Sequence, residues 1–187
     1  MKARPPTPIS SSLARPPCRS LTPSLPLSLL VELGVVIGKG GRDIRQEDAF
    51  SHVDGYCLAL DMTARNFQNT AKKAGLPWSA AKGYDTFCPV SSFIPKSRVG
   101  NPQDLNLWLK VNGETRQNGN TSDMIFKIDY LISKVSTIMT LEPGDLILTG
   151  TPSGVGVVKP GDVITSGLAD LVQMKNPVVA RVVKSKI

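Results

Sequence analysis

Leu30-Val-Glu-Leu-Gly-Val-Val-Ile-Gly38 is the stretch whose reading decides the fold. It is a short apolar run, rich in β-branched residues and closed by glycine, which reads as a buried strand. Gly55-Tyr-Cys-Leu-Ala-Leu60 reads the same way and runs directly into Asp61. One residue breaks the first run. A lone carboxylate inside such a strand is costly, so Glu32 is either ion-paired in the core or a metal ligand.

Downstream, Ala64, Phe67, Ala71 and Ala74 recur at helical spacing, and Gly75 followed by Pro77 stops the helix. Leu107, Leu109 and Val111 alternate with Trp108 and Lys110, and Asn112-Gly113 turns that strand into a hairpin. Leu131, Ile132, Val135, Ile138 and Met139 mark one face of a helix begun near Asp129. Glu142-Pro-Gly-Asp145 and Lys159-Pro-Gly-Asp162 are matching turns, each feeding a short strand, and Val178 to Val183 supplies the last strand. Many short strands, tight turns and two main helices make a β-rich α+β domain over residues 30–187.

Composition narrows the function. The 187 residues carry a net charge of +7, but residues 1–31 and 171–187 each hold four basic residues and no acid. The body between them sets 14 basic residues against all 15 acids. A basic face with interleaved aromatics is what nucleic acid requires, and aromatic content is only 5 %. Nucleic acid is therefore not an expected partner. Nor is a membrane, since no apolar run approaches the roughly 18 residues of a spanning helix. Three cysteines, Cys18, Cys57 and Cys88, contain no C-x-x-C pair and fit a reducing compartment, and one histidine excludes a multi-histidine metal centre.

Residues 1–29 hold seven of the 15 prolines and six serines with no apolar period, the composition of a disordered leader. Its arginines, serines and lack of acids also fit a mitochondrial presequence, although the prolines spoil the amphipathic helix such a presequence would form. Both readings stay open, and with them a mitochondrial or a cytosolic location.

Several polar residues stand out. Asp61, Arg65, Gln68 and Lys72 fall at i, i+4, i+7 and i+11, on one helix face. They are either an N-cap aspartate followed by a solvated face, or a ligand-facing stripe whose acid holds a cation. Lys82, among small residues in Trp78-Ser-Ala-Ala-Lys-Gly-Tyr-Asp85, is a surface charge or an electrophile facing an oxyanion. Thr149-Gly-Thr-Pro-Ser-Gly-Val-Gly156 is a glycine-rich loop without the Gly-Lys-Ser/Thr of a P-loop. Its amides and hydroxyls suit a carboxylate. His52, in Ser51-His-Val-Asp54, has no nucleophile elbow to serve and reads as structural, with Asp54-Gly55 turning into the strand.

Five of these segments, in this order, resemble the fumarylacetoacetate hydrolase superfamily over nearly all of 30–187, and most closely its acylpyruvase branch. They are Glu32-Leu-Gly-Val-Val, Leu60-Asp-Met-Thr-Ala-Arg-Asn-Phe-Gln68, Leu76-Pro-Trp-Ser-Ala-Ala-Lys82, Leu107-Trp-Leu-Lys-Val-Asn-Gly113 and Ile147-Leu-Thr-Gly-Thr-Pro-Ser-Gly-Val-Gly156. The resemblance implies a mixed β-roll of that family's C-terminal domain type, working as a homodimer. It also implies Mg²⁺, with Mn²⁺ or Ca²⁺ as substitutes, bound by Glu32 and Asp61. Arg65, Gln68, Lys82 and Thr151 are implied as substrate-binding residues, with Lys82 and Gln68 catalytic. The implied substrates are small 2-oxo acids: acylpyruvates to be hydrolysed, or oxaloacetate to be decarboxylated or interconverted between enol and keto forms.

The chain departs from the family pattern twice. Leu30 stands where the first glutamate of a Glu-x-Glu is expected. The leader stands where relatives carry a lid with a His/Glu pair, as if the N-terminus were substituted or truncated. Hydrolysis, which needs an activated water, is expected to suffer most. The alternative expectation is an impaired member that dimerises with a relative and regulates it.

Overall fold

The computed structural model describes residues 18–20 and 27–180. In chain order its first strands are β1 (Cys18–Ser20), β2 (Leu27–Leu29), β3 (Val31–Ile37), β4 (Val53–Leu60), β5 (Thr63–Ala64) and β6 (Ile94–Pro95). They are followed by β7 (Asn106–Val111), β8 (Glu114–Asn120), β9 (Leu146–Leu148), β10 (Gly156–Val158), β11 (Val163–Leu168) and β12 (Val172–Ala180). The α-helices are α1 (Arg65–Lys73), the single-turn α2 (Ser79–Lys82) and α3 (Ile128–Ile138).

Three sheets form the roll: β6-β4-β3-β9, β1-β12-β11-β7-β8 and the small β10-β2-β5. Every pairing is antiparallel except β1 with β12. The fold is the expected β-rich α+β roll with two main helices. β3 lies at its centre, between β4 and β9. Its Val31, Leu33, Val35 and Ile37 are at most 1 % exposed, and each such side chain contributes about 1.5–3 kcal/mol by leaving water. The Asn112-Gly113 hairpin is present, with both residues at positive φ (51° and 88°). That is the primed turn whose twist matches the flanking strands. In the two Pro-Gly turns the first residue's amide donates to the aspartate three positions on, Glu142 to Asp145 (2.8 Å) and Lys159 to Asp162 (2.9 Å).

Several expectations are corrected. The boundary at residue 30 falls too late, because Leu27 and Leu29 are fully buried in β2 and belong to the core. Residues 1–17 and 21–26 of the leader lie outside the described residues. The last strand starts at Val172, ahead of Pro177, with Met174, Asn176 and Val178 buried and Gln173, Lys175 and Pro177 exposed. That is plain strand alternation, masked in the sequence by a proline. The expected end of that strand, 181–183, lies outside the described residues. Asp54-Gly55 is no turn. β4 already begins at Val53, and the register shift opposite Val36/Ile37 leaves Asp54 as an extra residue in a bulge.

The helices differ from expectation in which face they bury. On α3 the inward ridge is Ile128, Ile132 and Ser136, while Ile138 and Met139 at its end are 67 % and 56 % exposed. On α1 the only buried residue is Gln68, and Phe67 is turned outward against the Tyr84 ring, centroids 6.1 Å apart.

Candidate functional site

β3 carries Glu32 opposite Ala59 of β4, and Asp61 follows β4 directly, its amide donating to the Leu30 carbonyl at 2.8 Å. Two carboxyl groups far apart in sequence thus arrive at adjoining strand ends. Asp61 caps no helix: Thr63–Ala64 forms β5 first, and the N-cap of α1 is Ala64 with no side-chain bond. The Asp61 carboxylate instead accepts from the Lys82 ammonium at the end of α2. Lys82 and Asp61 side chains are 31 % and 22 % exposed, so this pair stands at an open rim, with Glu32 deeper at 5 %.

Of the two arrangements that its position suggested, an ion pair in the core is not the one Glu32 adopts. Among the described residues no cation pairs with it directly. Its Oε2 accepts the Gly150 amide at 2.8 Å. The glycine-rich loop therefore does cradle a carboxylate, and the carboxylate is the protein's own. Burial pushes the Glu32 carboxyl above the ordinary carboxylate range. The Gly150 amide pulls it back, the negative charge of Asp61 raises it further, and Lys82 lowers it. Glu32, Asp61 and Lys82 thus share one electrostatic neighbourhood.

Arg65 and Gln68 project from the inward face of α1. The Arg65 guanidinium donates from Nε to Ser28 (2.9 Å) and from Nη1 to the Gln68 carbonyl oxygen (2.7 Å). Lys72, the fourth member of the sequence stripe, does not join them; its ammonium lies 4.9 Å from the Trp78 ring centre at the surface. Thr151 reaches the region with its hydroxyl already engaged. It donates to the Val31 carbonyl (2.8 Å) and accepts from the Gln117 amide (2.8 Å). Thr149 likewise donates to Leu33 (2.9 Å). His52 is structural in form, its Nδ1 2.7 Å from the Lys39 carbonyl.

Three participants escaped the sequence reading. Gln117, 1 % exposed, ties the loop to β3, since its side-chain oxygen accepts the Val31 amide at 3.0 Å while its NH₂ serves Thr151 and Pro152. Ser28 holds Arg65. The Cys88 thiol sits close enough to be pushed up by the charges of Asp61 and Glu32, in addition to a larger effect of desolvation. No local motif announces any of them, because each acts through a partner at least 27 positions away. A cavity of about 460 Å³ also abuts the loop, lined by Thr149 to Ser153 together with Asn118, Asn120, Met124 and Phe126.

Among the described residues no group of three or more His, Cys, Asp or Glu side chains is placed to hold a metal ion. The donor pair Glu32 and Asp61 still fits one. Their mutual repulsion is relieved by a cation, and Mg²⁺ or Mn²⁺ commonly takes one or two carboxylates, completing its shell with water and substrate oxygens.

The family model "Fumarylacetoacetate (FAA) hydrolase C-terminal" matches residues 11–179. The mitochondrial oxaloacetate decarboxylase of Dictyostelium discoideum is 58 % identical over 141 residues, covering 75 % of this chain and 65 % of the relative. The mitochondrial oxaloacetate tautomerase FAHD1 of Oryza sativa subsp. japonica is 59 % identical over 145 residues, covering 78 % and 63 %. The chain thus spans just under two thirds of the length of these curated relatives. Among solved structures, fumarylpyruvate hydrolase from Pseudomonas aeruginosa in complex with Mn²⁺ and pyruvate superposes with a TM-score of 0.83 at 36 % identity, covering 88 % of this chain and 72 % of that one.

Proposed function

The chain belongs to the fumarylacetoacetate hydrolase family, and on that premise we propose that it acts on small 2-oxo acids at the Glu32–Asp61–Lys82 cluster, with a divalent ion held by Glu32 and Asp61. Oxaloacetate, as keto acid or enol, is the first substrate to test, and acylpyruvates the second. The observation that carries this reading is the Asp61–Lys82 pair at a partly open rim with the buried Glu32 carboxylate in the same electrostatic neighbourhood beneath it.

When bound, the ion supplies a Lewis acid for the carboxylate and 2-oxo oxygen of the substrate. The remaining work falls to side chains. Tautomerisation, decarboxylation and C–C cleavage all place negative charge on the 2-oxo oxygen, so one preformed positive site serves all three. The Lys82 ammonium is the donor suited to that oxygen, carried on a flexible stem at the rim. Arg65 presents a guanidinium fixed at two of its nitrogens, a geometry that orients a carboxylate. Gln68 gives its carbonyl oxygen to Arg65 and keeps its NH₂ for the substrate. Thr151 acts through position: its two hydrogen bonds hold the loop whose Gly150 amide orients Glu32.

Acylpyruvate hydrolysis also needs an activated water. The one histidine is bonded to the Lys39 carbonyl rather than to the cluster, so hydrolysis is the slower activity in this reading. A mitochondrial location completes it, by analogy with relatives whose names place them there, together with the homodimer that the family resemblance implies.

Oxaloacetate turnover by the full chain in Mg²⁺ tests the proposal. Asp61→Asn and Lys82→Met should each lower it by about a hundredfold or more, and chelation of Mg²⁺ should do the same. Turnover that survives both substitutions and the chelator would refute it.

A further inference from the structure

We infer that the Lys82 ammonium and a divalent ion compete for the Asp61 carboxylate, so that arrival of the ion releases Lys82 from Asp61 and delivers its ammonium to the substrate. This rests on the metal reading above and adds a residue that sets metal affinity.

Lys82 Nζ donates to Asp61 Oδ2, an oxygen of the same carboxylate that an ion shared with Glu32 must use. A carboxylate oxygen that accepts an N–H directed at it is a poorer metal donor. An ammonium beside a dication is also repelled by it. With two carboxylates and one ammonium the cluster carries one negative charge; adding a dication makes it positive by one, and Lys82 becomes the group that gains by moving.

It has the means to move. Its stem leaves α2, a single turn of four residues, at a rim where the side chain is 31 % exposed. Among the described residues its ammonium has no second hydrogen-bond acceptor to hold it. An incoming 2-oxo acid brings new anionic oxygens to the same rim and offers the displaced ammonium a partner. Such coupling is reciprocal: whatever factor the ion takes from the Lys82–Asp61 pair, Lys82 takes from the affinity for the ion.

The test is Mn²⁺ binding to the full chain, read by the electron paramagnetic resonance of free Mn²⁺, with pyruvate as the 2-oxo acid probe. Lys82→Met should bind Mn²⁺ about tenfold more tightly than the native protein, while its Mn²⁺-loaded form binds pyruvate about tenfold more weakly. Lys82→Gln should shift both affinities in the same directions, guarding against a fold defect in either variant. Lys82→Arg, which keeps a cation for Asp61, should stay within about threefold of native for Mn²⁺. Unchanged or weakened Mn²⁺ binding in both neutral variants would overturn the competition while leaving the metal site intact. Tightening in Lys82→Arg equal to that in Lys82→Met would overturn it as well. Failure of the native protein and every variant to bind Mn²⁺ would remove the metal reading itself.

Discussion

Helices α1 and α3 are of similar length, 9 and 11 residues, and bury opposite kinds of face. α3 turns Ile128 and Ile132 into the core, with Ser136 on the same buried ridge. α1 turns Gln68 and Arg65 inward and shows Phe67 to solvent at 39 % exposure. A helix that spends its burial on a glutamine gains little from the hydrophobic effect and leans on hydrogen bonds, those of Arg65 to Ser28 and Gln68 and those of the Ala74, Gly75 and Leu76 amides that close its C-terminal end. α3 is thus a structural element, and α1 carries residues proposed for the site.

That contrast can be broken most directly at the core. Ile132→Ala should destabilise the protein by about 2–5 kcal/mol, whereas Phe67→Ala on α1 should stay within about 1 kcal/mol. Urea melts of the two variants make the comparison, and equal losses would erase it. Gln68→Leu probes the converse. It should lower turnover of oxaloacetate by about tenfold or more while moving the melting midpoint little, because the lost partner belongs to Arg65 at the rim. A large stability loss with intact turnover would make α1 another structural helix.

The smallest effect concerns pH. Burial raises the Glu32 carboxyl in the fold, so between its ordinary and its raised value the folded state holds more proton than the unfolded one. Stability from this group therefore falls as pH rises through that window, with the penalty complete above the raised value. Glu32→Gln keeps an acceptor for the Gly150 amide and removes the penalty. Denaturant midpoints on the two sides of the window should lie closer together in the variant than in the native protein, and an unchanged difference would reject this origin.

Much of the fold was legible because local chemistry and global structure agree. Asn112-Gly113 can hardly be anything but a hairpin, and the two Pro-Gly-Asp turns close in the same way because the same bond closes each. Legibility failed where a decision depended on distant partners. Periodicity on α1 located an apolar face and a polar face without saying which one meets the protein. β5, two residues long, decided that Asp61 points to Lys82 rather than capping a helix. Leu27 and Leu29 read as leader because proline and serine surround them, yet pairing of Leu27 with Ala64 and Val158 and of Leu29 with Gly156 puts them in the core. The amides and hydroxyls of the glycine-rich loop read as donors for a ligand, and the internal bonds of the Gly150 amide and the Thr151 hydroxyl have no counterpart in the local sequence.

Joint action of Glu32 and Asp61 on one cation is the central proposal. Equilibrium titration with Mn²⁺ of the native chain, Glu32→Gln and Asp61→Asn measures that most directly. A single site should appear in the native protein and weaken by about tenfold or more in each variant. Native-like binding in both variants would contradict the claim and place any metal elsewhere in the molecule.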